Sequence, residues 1–201
     1  MKFAYADPPY PGQAKRWYGD HPDYAGEVDH AELIARLVRD YPDGWALSTS
    51  GTALQHVLAL CPPDVKLAIW HVQNAEPPGG RATSWHLCWE PVIIRGGRNC
   101  GNRPAIRNLL TCPAPTGFRR GDITGQKPPA FSRWIFGLLG ATVQDDLDDL
   151  FPGSGAVGRE WEAYIVQPWF PAVPEPNDGS LARVRYARRL ARSGAPTLED
   201  S

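Results

Sequence analysis

The sequence predicts an α/β protein, in which strand and helix patterns alternate along most of the 201 residues. Three observations support this prediction. An apolar run over residues 3–6 has the length of a short buried strand and ends at Asp7 and two prolines. Near the other end, a strand pattern over 145–150 leads into a glycine turn and then a helix over 156–164. The 42% hydrophobic content is ordinary for one globular domain with a sizeable core.

The elements between these two segments follow from apolar spacing. Asp29 can cap a helix in which apolar residues recur at helical intervals from Leu33 to Val38. The further predicted elements are a strand over 45–50, a short helix over 52–60, strands over 66–72 and 90–95, and an amphipathic helix over 131–139. Residues 96–126 combine Gly, Asn, Pro and Arg with little periodicity, so we expect irregular structure there.

The turn after the first strand carries groups suited to amine chemistry. Pro8 and Pro9 restrict φ and lack N–H donors, so the turn is rigid. The Asp7 carboxylate and a backbone carbonyl beside it can accept both hydrogens of an amino group, and the Tyr10 ring offers a face for a planar base. The alternative for Asp7 is a turn cap, and for Tyr10 a packed surface aromatic.

The glycine turn over 153–158 suits a ligand that approaches the backbone closely. Gly153 and Gly155 allow a sharp turn, and a predicted helix begins just behind them. The spacing of these glycines also fits a dinucleotide-binding fold, which would make the protein an NAD-linked enzyme. Against that alternative, the one acid about 20 residues further on, Glu175, lies in a proline-rich stretch and not at a strand end.

Three motifs together resemble a known family. Asp-Pro-Pro-Tyr at 7–10 comes first, Gln-Lys-Pro-Pro at 126–129 precedes an amphipathic helix, and Asp-Leu-Phe-Pro-Gly-Ser-Gly at 149–155 comes last. This permuted order resembles the β class of DNA amino-methyltransferases, which methylate exocyclic amines of bases from S-adenosylmethionine. The resemblance covers most of residues 3–164. It implies a Rossmann-like mixed sheet of about seven strands, with one antiparallel edge strand and helices on both faces.

The resemblance also implies roles for individual residues. It implies a catalytic turn formed by Asp7, Pro8, Pro9 and Tyr10. It implies S-adenosylmethionine as cofactor, bound by Ala6, Asp7, Lys127, Pro128, Ser132, Asp149, Leu150, Phe151, Pro152, Gly153, Ser154 and Gly155. No metal is needed, because a positive sulfonium is already a good leaving group. Asp149 could instead be an exposed member of an acidic run, and Lys127 an ordinary surface lysine.

The charge distribution indicates a nucleic-acid partner. The net charge is only −1, but residues 95–127 carry seven basic groups against one acid. A basic loop over 96–126 beside a catalytic turn suits a phosphate backbone. The expected substrate contacts are Tyr10, Trp17, Arg103, Arg107, Arg119 and Arg120. The alternative is a solvated loop whose arginines pair with the acidic half of the chain, while a second arginine cluster over 183–192 offers a competing footprint.

Two departures from the family pattern leave the substrate open. No acid follows the last helix at a strand end to bind the ribose hydroxyls, and Glu160, Glu162 or Glu175 would have to replace it. No recognition region of a hundred or so residues is present either, which suggests a homodimer or a separate specificity partner. Asp7 favours adenine N6 in DNA, because cytosine enzymes of this class more often have Ser there. Cytosine N4, RNA adenine, small-molecule amines and a catalytically silent nucleic-acid-binding partner remain alternatives.

The remaining features concern organisation and compartment. We expect a methyltransferase domain over 1–165 and a proline-rich segment with a basic tail over 166–201. No apolar run approaches the ~18 residues of a membrane span, and a strand at the very start leaves no room for a signal peptide. The cysteines at 61, 88, 100 and 112 lack close pairs, so free thiols in a reducing cytoplasm are expected rather than a metal site with His86.

Overall fold

The structure is a computed structural model that describes residues 1–12, 26–75, 86–99, 101, 105–115 and 126–166. All of these residues belong to the first of two units, Met1–Trp169, and the second unit, Phe170–Ser201, lies outside the described residues. Trp17, Arg103, Arg119, Arg120, Glu175 and the arginines of the tail also lie outside them.

The described residues form one mixed sheet of six strands in the order β5-β3-β4-β2-β1-β6. The strands are β1 (Lys2–Ala6), β2 (Gly44–Ser48), β3 (Lys66–Val72), β4 (Trp89–Gly96), β5 (Leu109–Cys112) and β6 (Asp146–Asp149). The helices are α1 (His30–Asp40), α2 (Leu54–Leu60), α3 (Pro129–Leu139) and α4 (Ala156–Val166). The predicted α/β class is confirmed.

The two faces of the sheet bury separate apolar layers. Alternating side chains of β1 divide between them, because successive residues of a strand point to opposite faces. Phe3 and Tyr5 pack in the layer that contains α3 and α4, whereas Ala4 and Ala6 pack in the layer that contains α1. The predicted helices on both faces are therefore present.

The sheet of the described residues differs from the expected one in two details. Six strands are present there rather than about seven. The antiparallel strand is not at an edge: β4 lies between β2 and β3 and is antiparallel to both. Its residues Pro91–Ile94 are all buried, and such a continuous apolar run is typical of a strand covered on both faces.

The segment expected to be irregular contains strand β5. This four-residue strand pairs in parallel with β3, from Ile69 opposite Leu109 to Val72 opposite Cys112. Asparagine side chains fix both of its ends. Asn108 Nδ2 donates to the Leu67 carbonyl at 3.0 Å. Asn74 and Ala114 exchange two hydrogen bonds at 2.8 and 3.1 Å. Asn108 belongs to the segment whose asparagines suggested irregular structure, and in the structure it helps to hold an edge strand in place.

The helix ends follow their sequence signals. Asp29 Oδ1 accepts from the backbone N–H groups of Ala31 and Glu32 at 2.9 and 3.0 Å, as an N-cap does. Helix α3 begins with Pro129, where a missing N–H costs nothing, and ends at Gly140 with a φ of 65°. None of the described helices is both long and apolar enough to cross a membrane.

The strand directions bring several chain segments to one edge of the sheet. Strands β1, β2, β3, β5 and β6 all end at this edge, and β4 begins there because it runs the opposite way. We call it the carboxyl edge and the other the amino edge. Ligands of open α/β sheets bind at the carboxyl edge.

Candidate active site

The Asp-Pro-Pro-Tyr turn and the glycine turn leave the sheet side by side. Strands β1 and β6 are parallel neighbours, with Tyr5 opposite Asp149. Beyond that pair, the Leu150 N–H donates to the Tyr5 carbonyl at 2.9 Å, which extends the pairing to the point where both chains turn away. Asp7 and the residues after Asp149 therefore start from adjacent positions. The structure brings together two motifs that are more than 140 residues apart in sequence.

Lys127 lies in the middle of a polar cluster at this edge. Its ammonium nitrogen is 2.8 Å from Glu90 Oε2, 3.3 Å from Asp7 Oδ2 and 3.5 Å from the Tyr10 hydroxyl. The Lys127 side chain is only 5% exposed, so these contacts replace nearly all of its hydration. A buried ammonium needs such partners to remain charged. Lys127 is therefore not an ordinary surface lysine.

Helix α3 places Lys127 through its aromatic first turn. Phe131 packs against Tyr5 at a ring-centroid distance of 6.0 Å and against Trp70 at 5.2 Å. This anchors the start of the helix on β1 and β3. The Lys127 ammonium lies 5.6 Å from the centroids of both Trp70 and Phe131, a distance typical of cation–π contact. Pro128, as N-cap, and Pro129 stiffen the connection between the lysine and the helix.

The cluster changes the acid–base properties of its members. Desolvation lowers the pKa of Lys127, but Asp7, Tyr10 and Glu90 outweigh it and hold that pKa well above its ordinary value. Burial raises the pKa of Asp7; the Lys127 ammonium lowers it and the Glu90 carboxylate raises it, leaving it above the ordinary value. Burial also raises the pKa of Tyr10 well above its usual range, so the phenol stays protonated. Its hydroxyl donates to Glu90 Oε2 at 3.1 Å.

Glu90 is a site residue that sequence reasoning missed. It begins a predicted strand, and nothing in its neighbourhood resembles a catalytic motif. The structure places it opposite Trp70, at the carboxyl edge, because β4 is antiparallel to β3. Its two partners, Tyr10 and Lys127, are 80 and 37 residues away. The only local signal was a carboxylate at the boundary of a buried strand.

Asp149 has an unusual environment for a carboxylate. Its Oδ1 accepts a 3.3 Å hydrogen bond from the Phe151 N–H, whereas Oδ2 is buried without a hydrogen-bond partner among the described residues. Burial raises the pKa of Asp149 to about 6, the Phe151 N–H opposes this, and the nearby Asp7 charge adds to it. A buried carboxylate oxygen without a donor is costly, and such atoms mark ligand sites. Asp149 is thus not an exposed member of an acidic run.

The glycine turn has the backbone geometry expected from its sequence. Gly153 and Gly155 have φ values of 47° and 71°, which only glycine adopts without strain. The Gly155 N–H donates to the Pro152 carbonyl at 2.6 Å and closes the turn. A Cβ atom on Gly153 would have no neighbour closer than 3.9 Å, so the space beside the turn is open. The turn leaves room for a ligand directly against its backbone.

The other predicted cofactor residues surround these two turns. Ser132 is buried on α3, and its hydroxyl has no hydrogen-bond partner in the described part of the chain. Ala6 is buried, and Leu150 and Phe151 pack against the apolar layer that contains α1. Pro152 is exposed and Ser154 half-buried. The unpaired oxygens of Asp149 and Ser132, with the open glycine turn, fit a ligand that carries hydrogen-bond donors and positive charge.

Apart from Lys127, the described basic residues between 95 and 127 lie away from this edge. Arg95 lies near the end of β4, at the amino edge, and pairs with Asp64 at 2.9 Å. Arg98 also follows β4 and pairs with the buried Asp145. Arg107 is exposed and precedes β5, so it lies at the end of that strand away from the carboxyl edge. Of the seven basic residues between 95 and 127, Lys127 is the one that the described structure brings to the site.

The candidates for a ribose-binding acid have other surroundings. Glu160 on α4 forms an ion pair with Arg133 on α3, and so joins the two helices. Glu162 is exposed on α4. Within the described ranges, no group of three or more His, Cys, Asp or Glu side chains is arranged to hold a metal ion.

Comparison with known proteins finds similarity in structure only. No protein-family model matches the chain, and no curated protein matches it. Among solved structures, the crystal structure of the M1.HpyAVI–SAM complex matches 81% of this chain and 77% of that chain. The sequence identity is 16% and the TM-score 0.48.

Proposed function

We propose that this protein is an S-adenosylmethionine-dependent methyltransferase that acts on the exocyclic amine of a nucleic-acid base, with adenine N6 in DNA as the favoured target. The observation that carries the proposal is the pairing of two turns at one sheet edge. The Asp7 carboxylate follows β1 and the glycine turn follows β6, its parallel neighbour. An amine-binding group and a cofactor turn must be adjacent for direct methyl transfer, because the two reacting atoms must meet.

The charge of the site suits a cationic cofactor. Three carboxylates, Asp7, Glu90 and Asp149, influence this edge. The described cations there are the Lys127 ammonium and the Arg159 guanidinium, which donates to the Ser154 carbonyl at 2.8 Å. S-adenosylmethionine, when bound, supplies a methyl group on a positively charged sulfur. The buried Oδ2 of Asp149 and the hydroxyl of Ser132 would accept hydrogen bonds from the cofactor. The open backbone of Gly153 would adjoin it.

The catalytic turn would prepare the amine. Asp7 Oδ2 contacts Lys127, while Oδ1 has no hydrogen-bond partner among the residues described. We expect the Asp7 carboxylate and the Pro8 carbonyl to accept the two amine hydrogens, which directs the nitrogen lone pair and raises its reactivity. Tyr10 would stack on the base. Methyl transfer would form the N–C bond as the methyl–sulfur bond breaks and the sulfur leaves as a neutral thioether. One amine proton would pass to Asp7, whose raised pKa suits it as the acceptor.

The proposed base requires access to the edge of the sheet. A base within a duplex would be flipped out of the stack to reach Asp7. The adenine preference rests on the Asp at position 7, as the motif resemblance implies. Cytosine N4 and RNA adenine are tested by the same assay, because each gives a methylated nucleoside of distinct mass and retention. A homodimer or a separate specificity partner would supply sequence recognition.

Two measurements test this function. Isothermal titration calorimetry of the purified protein with S-adenosylmethionine should show saturable binding. Mass spectrometry of nucleosides from host DNA and RNA after expression should show N6-methyladenine in DNA that an Asp7→Ala variant does not produce. Absence of cofactor binding would favour the alternative of a catalytically silent nucleic-acid-binding partner. The ion pair of Glu160 with Arg133 supports that alternative, because it engages one candidate ligand for the ribose. Methylation of a different base would change the proposed substrate but not the proposed methyltransferase activity.

A further inference from the structure

We infer that Glu90 is a positioning residue for methyl transfer: it draws the Lys127 ammonium and the Tyr10 hydroxyl towards itself and so keeps Asp7 available for the substrate amine. This inference rests on the proposed function, because it gives the Asp7 carboxylate a substrate to bind. It assigns a role to a residue outside the Asp-Pro-Pro-Tyr and glycine motifs.

The distances show how the ammonium is shared. Lys127 Nζ is 2.8 Å from Glu90 Oε2, a good charge-assisted hydrogen bond, and 3.3 Å from Asp7 Oδ2. Because attraction between charges falls with distance, Lys127 is attracted more strongly to Glu90 than to Asp7. Without Glu90, the buried ammonium would have Asp7 as its single carboxylate partner in the described structure. It would then bind the oxygens that the substrate amine needs.

The same carboxylate oxygen fixes the tyrosine. The Tyr10 hydroxyl donates to Glu90 Oε2 at 3.1 Å, so one acceptor sets both the ring and the ammonium. Tyr10 follows two prolines, which restrict its backbone but not its side chain. A ring that stacks on a base must hold its plane. The hydrogen bond to Glu90 supplies this restraint from a different strand.

The sheet topology explains why Glu90 can reach Lys127 and Tyr10. Only a strand that begins at the carboxyl edge can present its first residues there, and β4 is such a strand. Glu90 also follows the half-buried Trp89 and precedes the buried Pro91, so its backbone is held in the sheet. Its side chain is 32% exposed, which leaves the carboxylate partly hydrated.

The charged and titratable groups around Asp7 come from four elements. Lys127 precedes α3, Glu90 belongs to β4, Tyr5 belongs to β1, and Asp149 ends β6. The fifth group is Tyr10, in the turn itself. The Tyr5 hydroxyl is bound to Ser48 at 2.8 Å and stays neutral, since burial raises its pKa well above the usual range. Burial is the largest influence on the pKa of Asp7, and among the neighbouring charges Lys127 lowers that pKa while Glu90 raises it.

The test compares Glu90→Gln with a matched control whose ion-pair partner, Arg95, lies on the same strand as Glu90. Asp64→Asn removes an exposed carboxylate that pairs with Arg95 near the other end of β4. For Glu90→Gln we expect kcat to fall about 10-fold or more, because Asp7 then pairs fully with Lys127. The cofactor Kd should stay within about 3-fold, since Glu90 is not a proposed cofactor ligand. Asp64→Asn should leave both values unchanged.

A pH profile separates positioning from mere structural support. Loss of the Glu90 charge removes a group that raises the pKa of Asp7 and strengthens the one that lowers it. The acidic limb of the kcat profile should therefore move to lower pH in Glu90→Gln, while Glu90→Asp, which keeps the charge, should keep the wild-type limb. Unchanged kcat and an unchanged limb in Glu90→Gln would overturn the inference.

A substrate-free measurement keeps the two proposals distinct. The Asp7 carboxyl can be titrated by carbon-13 NMR in wild type and Glu90→Gln, with Asp7→Asn to assign the signal. A lower pKa of Asp7 in Glu90→Gln supports the inference, and an equal or higher pKa overturns it. If wild type binds no cofactor and transfers no methyl group, the proposed function fails, and this titration still decides how Glu90 controls the charge at Asp7. If Glu90→Gln does not fold, Tyr10→Phe replaces it, because it removes the hydroxyl that Glu90 binds. Tyr10→Phe should lower kcat without moving the limb, and a wild-type kcat would overturn the inference.

Discussion

Two aspartates at opposite ends of β6, Asp145 just before it and Asp149 as its last residue, have opposite environments. Asp145 lies at the amino edge, and both of its oxygens have several partners. Arg98 Nη2 contacts both of its oxygens at 2.6 and 2.8 Å, and Thr142 donates to Oδ2 through its N–H and its hydroxyl. The Met1 ammonium contacts Oδ1 at 2.7 Å. Asp149 lies four residues on, at the carboxyl edge, with one backbone donor on Oδ1 and a bare Oδ2.

The difference separates a carboxylate that stabilises the fold from one that is suited to a ligand. Desolvation opposes ionisation of Asp145, yet its hydrogen bonds hold its pKa well below the ordinary value. Burial instead raises the pKa of Asp149 to about 6. A carboxylate whose lone pairs are all occupied has nothing left to offer a ligand, whereas an unsatisfied one gains free energy when a donor arrives. The carboxylate suited to a ligand, Asp149, lies at the carboxyl edge, and the one that stabilises the fold, Asp145, lies at the amino edge.

The largest expected effect is at Asp7. Replacing Asp7 with Ala should reduce methyl transfer by at least about 100-fold, because a charged acceptor that acts on the transition state is lost. The fold should persist, since the Asp7 side chain is 21% exposed and has one ion-pair partner in the described structure. Transfer of a radiolabelled methyl group measures the turnover, and circular dichroism tests whether the fold persists. A variant that retains more than about a tenth of wild-type turnover would remove Asp7 from the mechanism.

The glycine turn should determine cofactor binding. Gly153→Val or Gly155→Val should eliminate measurable S-adenosylmethionine binding, because a β-branched residue is strained at φ values of 47° and 71°. At position 153 the new side chain would also fill the open space beside the turn, and at position 155 it would displace the Arg159 guanidinium. Calorimetry gives the affinity. Gly12→Val is a matched control, since Gly12 has a φ of 74° and open space around it but lies outside the turn. Equal losses in all three variants would indicate general backbone damage instead.

Asp145 and Asp149, at the two ends of β6, should respond oppositely to neutralisation. Asp145→Asn should reduce the free energy of unfolding by about 2–3 kcal/mol at pH 7, because it breaks a buried hydrogen-bonded charge cluster. Since the folded pKa of Asp145 is lowered, its contribution is complete above the ordinary pKa of an aspartate and is lost as the pH falls through the folded value. Denaturant unfolding of wild type and variant should therefore converge in acid. A constant difference at all pH values would contradict the ion-pair explanation.

Asp149→Asn should leave stability unchanged or raise it by about 1 kcal/mol, because a carboxylate with a raised folded pKa costs stability when it ionises. Cofactor affinity should fall instead. In wild type, S-adenosylmethionine binding should weaken as the pH drops below about 6, where Asp149 becomes protonated. Calorimetry between pH 5 and 8 measures this, and the Asn variant should lack the dependence. A wild-type affinity that is flat through this range would exclude Asp149 as a cofactor ligand.

The smallest effect concerns nucleic-acid contact. The segment with Arg119 and Arg120 connects Cys112 at the carboxyl edge to Lys127 in the site, whereas Arg107 lies at the amino end of β5. Arg119→Ala with Arg120→Ala should flatten the slope of log K against log salt by roughly 0.7–0.9 per lost phosphate contact. Arg107→Ala is the control for the carboxyl edge, and truncation after Pro171 tests the tail. If only the truncation changes the slope, the tail is the phosphate-binding region.

The sequence predicts most of the fold because its signals are local. Asp29 caps the helix that it was expected to cap, and β1, β3 and β6 begin and end near the expected residues. Strand β5 escaped prediction because it is four residues long and its ends are held by Asn74 and Asn108 from outside the strand. The interior position of β4 depends on pairing with two strands, and no pattern within β4 encodes its neighbours.

The candidate site was likewise predictable only where its residues belong to contiguous sequence motifs. Asp7, Asp149 and the two glycines of the turn belong to contiguous motifs, so their proximity followed from a resemblance and the structure brings them together. Glu90 belongs to no motif. Its importance depends on contacts with Lys127 and Tyr10 that exist only after the sheet has formed. The unsatisfied Oδ2 of Asp149 is likewise a property of packing, which the four aspartates of its run do not distinguish in sequence.

The interior antiparallel strand has a consequence for how this protein could be diversified. Because β4 begins where β3 ends, the connection between them starts and finishes at the same edge, and the Val72 N–H donates to the Cys88 carbonyl at 2.8 Å across its base. The connections from Asp7 to Asp29 and from Cys112 to Lys127 also begin and end there. A connection with fixed, adjacent ends can double in length for only about 0.6 kcal/mol of closure entropy. Exchange of these three segments between related proteins should therefore graft new substrate preferences onto an unaltered sheet.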